Sequence, residues 1–334
     1  MEELVRSGFR PLNLPPKSER ERERHHAHVS AILTEHRIDS AVIAKDAERR
    51  ALDALWRTEL MTSPRLELTD QMRRLWAEYG LPSQFVRSVL WPWNWDHNSP
   101  SCPTSSLSGS FKSLIELDVT RTLPFLGFKN DSKKIEKCIR LLDEFAAHHP
   151  LVGYTQGMSY IAVRLMMEMD WNSDKSSICL KKFVIDSPTV ACMYSLDLGR
   201  INASVRYILD SIAWDNIAEL WMYLTHTIRF EPIDWFFLEW ILTIYVKNFS
   251  VKISGFIFDL FFLQGDVVLY KAAIAVLVLM KDRLMGQDVE GVRALLARAG
   301  DCVADSEIFV KTYHEVHVST PLDRVLESRV LFPD

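Results

Sequence analysis

The sequence predicts an all-α protein, and three observations carry that expectation. Apolar residues recur at helical spacing in segment after segment, with no convincing run of period-two strands and no internal repeat. Helix-stopping residues stand where the apolar stripes end, Gly80 and Pro82 after one and Pro150 after another. Glycine and proline are sparse, 12 and 14 among 334 residues, which argues against a turn-rich all-β fold. With 48% hydrophobic residues, a chain of this length can bury one large core or two smaller lobes.

Taken in order, residues 1–65 form a charged, helix-prone block that reads as an N-terminal extension, with the dense charge run Ser18 to His26 inside it. Residues 66–334 form the main body. Over 70–79, Met72, Leu75, Trp76 and Tyr79 share one face, and Asp70 is the expected N-cap. Residues 96–110, rich in Ser, Pro, Asn and Gly, read as a flexible loop. A second amphipathic helix is expected over 132–148, where Ile135, Ile139, Leu142 and Phe145 make the stripe. Residues 158–169 are apolar nearly all round, the mark of a central helix. The polar run from Trp171 to Ser177 breaks that helix and suggests a lobe boundary near 171–190. Further apolar helices are expected within 201–212, 233–247, 251–263, 266–285 and 288–299.

Composition also narrows function. A net charge of −5 supplies no basic footprint, so nucleic acid is not an expected partner. The five cysteines are odd in number, scattered, and form no CxxC pair, which fits a reduced intracellular protein with no zinc set. The polar start has no secretory signal pattern. The longest unbroken apolar run, Ala272 to Met280, is far short of the about 20 residues a membrane crossing needs, so no transmembrane segment is expected. His25, His26 and His28 read as a solvated helix rather than a metal site, and His148-His149 as a helix end where a cation suits the dipole. Trp91, Trp93 and Trp95 alternate beside Pro92, an arrangement that suits core packing around a turn and leaves a partner anchor open.

Two strings carry the chemistry: Ile115-Glu-Leu-Asp118-Val-Thr-Arg121-Thr122-Leu-Pro124 and Gly153-Tyr154-Thr155-Gln156-Gly157-Met158. A slow nucleoside triphosphatase most often lacks a cation for the γ-phosphate and an amide for the attacking water, and an arginine and a glutamine supply them. A guanidinium is planar, permanently charged and forked, so it can neutralise two oxygens together. A glutamine amide can accept from water and donate to a phosphate oxygen. The chain has no GxxxxGK(S/T) loop to cradle phosphates, so the pair would have to act on a nucleotide held by another protein. Pro124 and Gly127 should end helical geometry just after Arg121, and Gly153 and Gly157 should let the backbone approach a partner closely. Asp118 stands three residues before Arg121 and can pair with it or cap local amides. Each string alone has a plainer reading, IxxDxxR as a helix face with an ion pair and YxQG as a helix start with a capping amide. Together, in this order, they are harder to explain by packing needs.

The two strings resemble the signatures of the TBC-domain proteins, GTPase-activating proteins for Rab-family small GTPases. IxxDxxR is matched by Ile115, Asp118 and Arg121, and YxQG by Tyr154, Gln156 and Gly157. The likeness runs from about Gly80 to about Leu284 and takes in Thr122 and Pro124 after the arginine, Arg87 and Trp91, Trp240 to Thr243, and Phe258-Asp259. Ser159 stands where the family commonly has asparagine, and Phe258 where tryptophan usually precedes the aspartate. The resemblance implies a two-lobed helical domain that inserts Arg121 as an arginine finger and Gln156 as a glutamine finger. It also implies a GTP-bound Rab partner that carries GTP and Mg²⁺, no cofactor of the chain's own, and a role as activator rather than self-contained enzyme. Vesicle trafficking, a cytoplasmic location and indirect attachment to endomembranes through the partner follow as expectations. The alternative is a catalytically silent scaffold that holds a GTP-loaded GTPase, which has no physical need for either finger.

Overall fold

A computed structural model describes residues 47–61, 68–93, 111–125, 131–195 and 198–319, leaving side chains aside at 123–125, 192, 195, 198–204, 233 and 234. The chain divides at Thr58/Glu59 into two compact units. The described part of the first, residues 47–58, is helical, and Arg57 Nε donates to Asp53 at 2.7 Å across one helical turn. The 1–65 block apart from 47–61, the whole of the predicted 96–110 loop, and His25, His26, His28, Trp95 and Gly127 lie outside the described residues.

The second unit is helical, and among the described residues there is no strand. Its helices are α1 Asp70–Tyr79, α2 Gln84–Trp93, α3 Lys112–Phe125, α4 Ser132–His148, α5 Met158–Glu168, α6 Ser173–Val184 and α7 Pro188–Ser195. They continue as α8 Leu198–Met222, α9 Leu238–Leu242, α10 Val251–Gln264, α11 Val267–Leu284, α12 Val289–Ala297, α13 Ala299–Cys302 and α14 Ser306–Glu315. One group surrounds α5, which packs on α2, α3, α4 and α6; another surrounds α11, which packs on α8, α10, α12 and α14. α7 touches α6, α8 and α9, and α10 reaches back to α1 and α2, so these elements join the groups.

The apolar patterns explain the layout. α5 is buried on nearly every side, as its all-round apolar stretch predicts, and α11 is buried along most of its length. α4 carries a stripe of buried Cys138, Leu141, Leu142 and Phe145, and Asp131 starts the helix by accepting from the amides of Lys133 and Lys134. Among the described residues, no helix is long and apolar enough to cross a membrane.

Several boundaries differ from the sequence-based expectation. The N-cap of α1 is Thr69, whose hydroxyl accepts from the Met72 amide; Asp70 is the first helical residue instead. A cap needs extended backbone before the first turn, and Thr69 has it. The expected helix over 233–247 is broken up. A π-turn at Ile233–Phe237 leads into the short α9, and Ile244 and Tyr245 then take left-handed backbone at φ 42° and 62°. The helix expected within 201–212 extends from Leu198 to Met222, with non-helical backbone at Ile217.

An ionic cluster closes the α5 group against α10. Asp259, fully buried, accepts from Arg87 Nε at 2.9 Å, Arg87 Nη2 at 2.8 Å, the Trp91 indole at 3.1 Å and the Leu81 amide at 3.0 Å. Arg87 also reaches Glu168 at 3.4 Å, and Arg164 holds the other Glu168 oxygen at 2.7 Å. Burial works against the charge on Arg87, but Asp259 and Glu168 more than offset it and raise its pKa. Trp91 is wholly buried and stacks on Phe262, which settles it as a packing residue.

Candidate functional site

Asp118 is the charged residue on the buried face of α3. α3 turns Ile115, Val119 and Thr122 inward, all fully buried, and Asp118 lies among them at 1% exposure. A carboxylate in that position needs donors, and the structure supplies two. The Tyr154 hydroxyl donates to Oδ2 at 2.7 Å, and Arg121 Nη2 donates to Oδ1. Burial, reinforced by the bond to Asp118, pushes the Tyr154 phenol up, so it remains a donor at any physiological pH.

Arg121 has the opposite environment, with its side chain 49% exposed. It stands one turn before the C-terminal turn of α3. The expectation that helical geometry ends just after Arg121 is corrected, because α3 runs on through Pro124 to Phe125. Pro124 lacks the amide that would bond the Thr120 carbonyl, but it stands at the penultimate position, where one ladder bond is all that is lost. Thr122 reinforces the same turn: its hydroxyl donates to the Asp118 carbonyl at 2.8 Å and lies 2.9 Å from the Ser159 hydroxyl on α5. Arg121 is therefore presented by an ordered helix end rather than by a loop.

Gln156 stands just before α5. Gly157 is the helix N-cap, in left-handed backbone at φ 113°, and a Cβ there would lie 2.8 Å from the Leu242 carbonyl oxygen. Gly153 has φ 62°, and its Cβ would meet the Phe111 ring at 3.2 Å. Both glycines are buried. The expectation that they open the backbone to a partner is thus corrected: they let the string press against its own fold. Thr155 donates its hydroxyl to the Tyr194 carbonyl at 3.1 Å, and the Tyr194 hydroxyl donates to the Leu242 carbonyl at 2.6 Å. Gly153, Tyr154, Gly157 and Met158 are buried, whereas Gln156 between them is exposed.

Two polar side chains, Arg121 and Gln156, thus emerge from backbones that the Tyr154–Asp118 bond ties together across the α3–α4–α5 layer. Leu114 and Leu117 lie on Arg121's side of α3 at i, i+3, i+7 spacing and are exposed at 41% and 60%. Leu151, 96% exposed, stands on the turn that leads to Gly153. Within the first string the side chains of Leu123 and Pro124 lie outside the description. The tie from Thr155 through Tyr194 to Leu242 was not legible in the sequence, since Tyr194 belongs to neither string and nothing local marks it. Among the described residues, no group of three His, Cys, Asp or Glu side chains could hold a metal ion.

Comparison with known proteins points one way. Residues 96–285, more than half of the chain, match the family model of the Rab-GTPase-TBC domain. TBC1 domain family member 12 of Rattus norvegicus is 22% identical over 347 residues, covering 90% of this chain and 48% of that protein. TBC1 domain family member 14 of Homo sapiens is 25% identical over 197 residues, covering 59% of this chain and 28% of that protein. The chain spans about half the length of the first of these relatives, or less for the second. The crystal structure of the Chlamydomonas flagellar RabGAP TBC domain superposes with a TM-score of 0.64 at 18% identity, over 80% of this chain and 94% of that one. At that identity the likeness establishes the shared all-helical fold.

Proposed function

The chain belongs to the Rab-GTPase-TBC domain family, and from that premise we propose that it accelerates GTP hydrolysis by a GTP-bound Rab-type GTPase. In this reading it completes the partner's active site and has no self-contained activity. Arg121 neutralises charge on the transferred phosphoryl group, Gln156 orders the attacking water, and GTP and Mg²⁺ arrive with the partner. The observation that carries the reading is the exposure pattern: Arg121 and Gln156 are open to solvent, on two strings whose remaining motif residues with described side chains are buried.

Physical fit supports the roles. A guanidinium has five N–H donors, and the pairing with Asp118 uses Nη2. Asp118 can therefore orient the group while other donors meet phosphate oxygens. The buried Tyr154 hydroxyl holds Asp118 from the opposite side and links the arginine's backbone to the glutamine's. The exposed Leu114, Leu117 and Leu151 suit an apolar rim that a protein partner would cover, excluding water around the charges. The chain would act in vesicle trafficking, at the cytoplasmic face of an endomembrane reached through the partner.

The test is a hydrolysis screen against a panel of GTP-loaded Rab proteins, with Arg121→Ala and Gln156→Ala alongside. Stimulation of at least one GTPase, lost steeply in each variant, is the expected result. Equal stimulation by both variants and the wild type would sink the dual-finger reading. Tight GTP-dependent binding with no rate effect would leave a holding scaffold instead.

A further inference from the structure

Ordering water demands that a glutamine amide be placed to within a fraction of an ångström, roughly 0.5 Å for designed sites. Gln156 is exposed, so its placement depends on how firmly its backbone is held. Three anchors hold the string. Tyr154 bonds Asp118 on α3, Thr155 bonds the Tyr194 carbonyl, and Gly157 lies against the Leu242 carbonyl. Tyr194 controls the last two together, because the carbonyl that receives Thr155 and the hydroxyl that reaches Leu242 belong to the same residue.

Leu242 is the last residue of α9, where a carbonyl has no partner within its own helix. The backbone then turns through left-handed Ile244 and Tyr245, whose amides bond back to the Ile241 and Trp240 carbonyls rather than to that of Leu242. The 2.6 Å bond from Tyr194 satisfies that carbonyl and fixes the end of α9. The same oxygen is the wall against which Gly157 rests, and Gly157 has no side chain with which to cap α5. Tyr194 is 2% exposed, and burial pushes its phenol well above the ordinary value, so the hydroxyl stays a donor.

We propose that Tyr194 is a positioning residue for Gln156, bracing the glutamine string from both sides by its carbonyl and its hydroxyl. The proposal rests on the reading of Gln156 as the group that orders water. Removing the hydroxyl leaves the Leu242 carbonyl without its donor and lets the end of α9 shift against Gly157. The glutamine then samples positions from which the water is not in line.

The experiment measures stimulated hydrolysis of the responsive GTP-loaded Rab protein by Tyr194→Phe, Gln156→Ala and the double variant, with the melting temperature of each. Tyr194→Phe should lower the maximal stimulated rate about tenfold, from misalignment of the reacting geometry, with KM for the GTP-loaded partner unchanged. The double variant should be no slower than Gln156→Ala alone, because Tyr194 acts through the glutamine. Thr155→Val should reproduce part of the loss and Thr155→Ser should restore the wild-type rate, and both sit at a half-buried position that tolerates them. A folded Tyr194→Phe protein with the wild-type maximal rate overturns the proposal and leaves the dual-finger reading intact. So does an equal further loss when Tyr194→Phe is placed on Gln156→Ala, or an effect confined to KM. A Gln156→Ala protein that stimulates as well as wild type fails the underlying reading, and the positioning proposal with it.

Discussion

Two arginine–aspartate pairs in this chain share the same chemistry and differ in their surroundings. Arg87 and Asp259 meet inside the cluster under α10, with side chains 14% and 1% exposed, among tryptophans and a second arginine–glutamate pair. Arg121 and Asp118 meet at the end of α3, where the aspartate is equally buried at 1% but the arginine is 49% exposed. In the first pair each charge serves to neutralise the other, and Asp259 gathers donors from α1, α2 and the turn between them. In the second, the buried aspartate holds an arginine whose side chain is half exposed. What sets the second pair apart is the asymmetry of burial, and the proposed role of Arg121 rests on it. A cation that is held from beneath and open above can be offered to another molecule at little reorganisation cost.

The largest expected effect separates the pairs by activity. Arg121→Ala should lose roughly 10³ to 10⁵ of stimulated GTP hydrolysis and stay folded, at a cost of about 1–3 kcal/mol because buried Asp118 keeps only its Tyr154 donor. A large loss of stability in that variant would break the distinction. Next in size, Asp259→Ala should destabilise the fold by about 3–5 kcal/mol, because Arg87 is left buried without its carboxylate. Denaturant unfolding measures this, and a variant as stable as wild type would show the cluster to be dispensable. A smaller effect probes the rim beside Arg121. Leu117→Asp should raise KM for the GTP-loaded partner about tenfold, corresponding to about 1.4 kcal/mol, without lowering the maximal rate. Unchanged KM would mean that this side of α3 stays outside the interface.

An effect silent at physiological pH tests the burial of Cys138 on α4. Burial raises the Cys138 thiol from its ordinary 9.0 to about 12. A group whose folded pKa is raised stabilises fully below its unfolded value and ceases to do so as pH climbs through the folded one. Stability should therefore be unaffected by this thiol below pH 9 and should fall between pH 9 and about 12. The fall should be shallower in Cys138→Ala, read as the slope of unfolding free energy against pH. An identical slope in the two proteins would remove the thiol from the account.

Much of the fold was legible because its signals are local. The stripe Ile135, Ile139, Leu142 and Phe145 announced α4, the all-round apolar run announced α5, and Gly80 stands as the C-cap of α1. The helices α2, α3, α6, α7, α13 and α14 were not named from pattern. α3 shows why, since its inward face mixes Asp118 and Thr122 with Ile115 and Val119 and so dilutes the apolar stripe. Pro124 then read as a stop, whereas helix packing onto α5 carries the backbone past it. The glycines of the second string also misled, because a sequence shows that glycine permits close approach but not what approaches.

For the candidate site, the division is equally clear. By itself the sequence determined which residue types are available and in what order: an arginine, a glutamine, an aspartate three residues before the arginine, and no phosphate loop. It also determined the all-α class, since helical periodicity is a property of short windows. Only the tertiary structure decided that Asp118 is buried while Arg121 is open, that Tyr154 joins the two strings, and that Tyr194 and Leu242 lie behind Gln156. Those facts depend on contacts between residues far apart in the chain, where burial and hydrogen bonding are set by packing rather than by any local pattern.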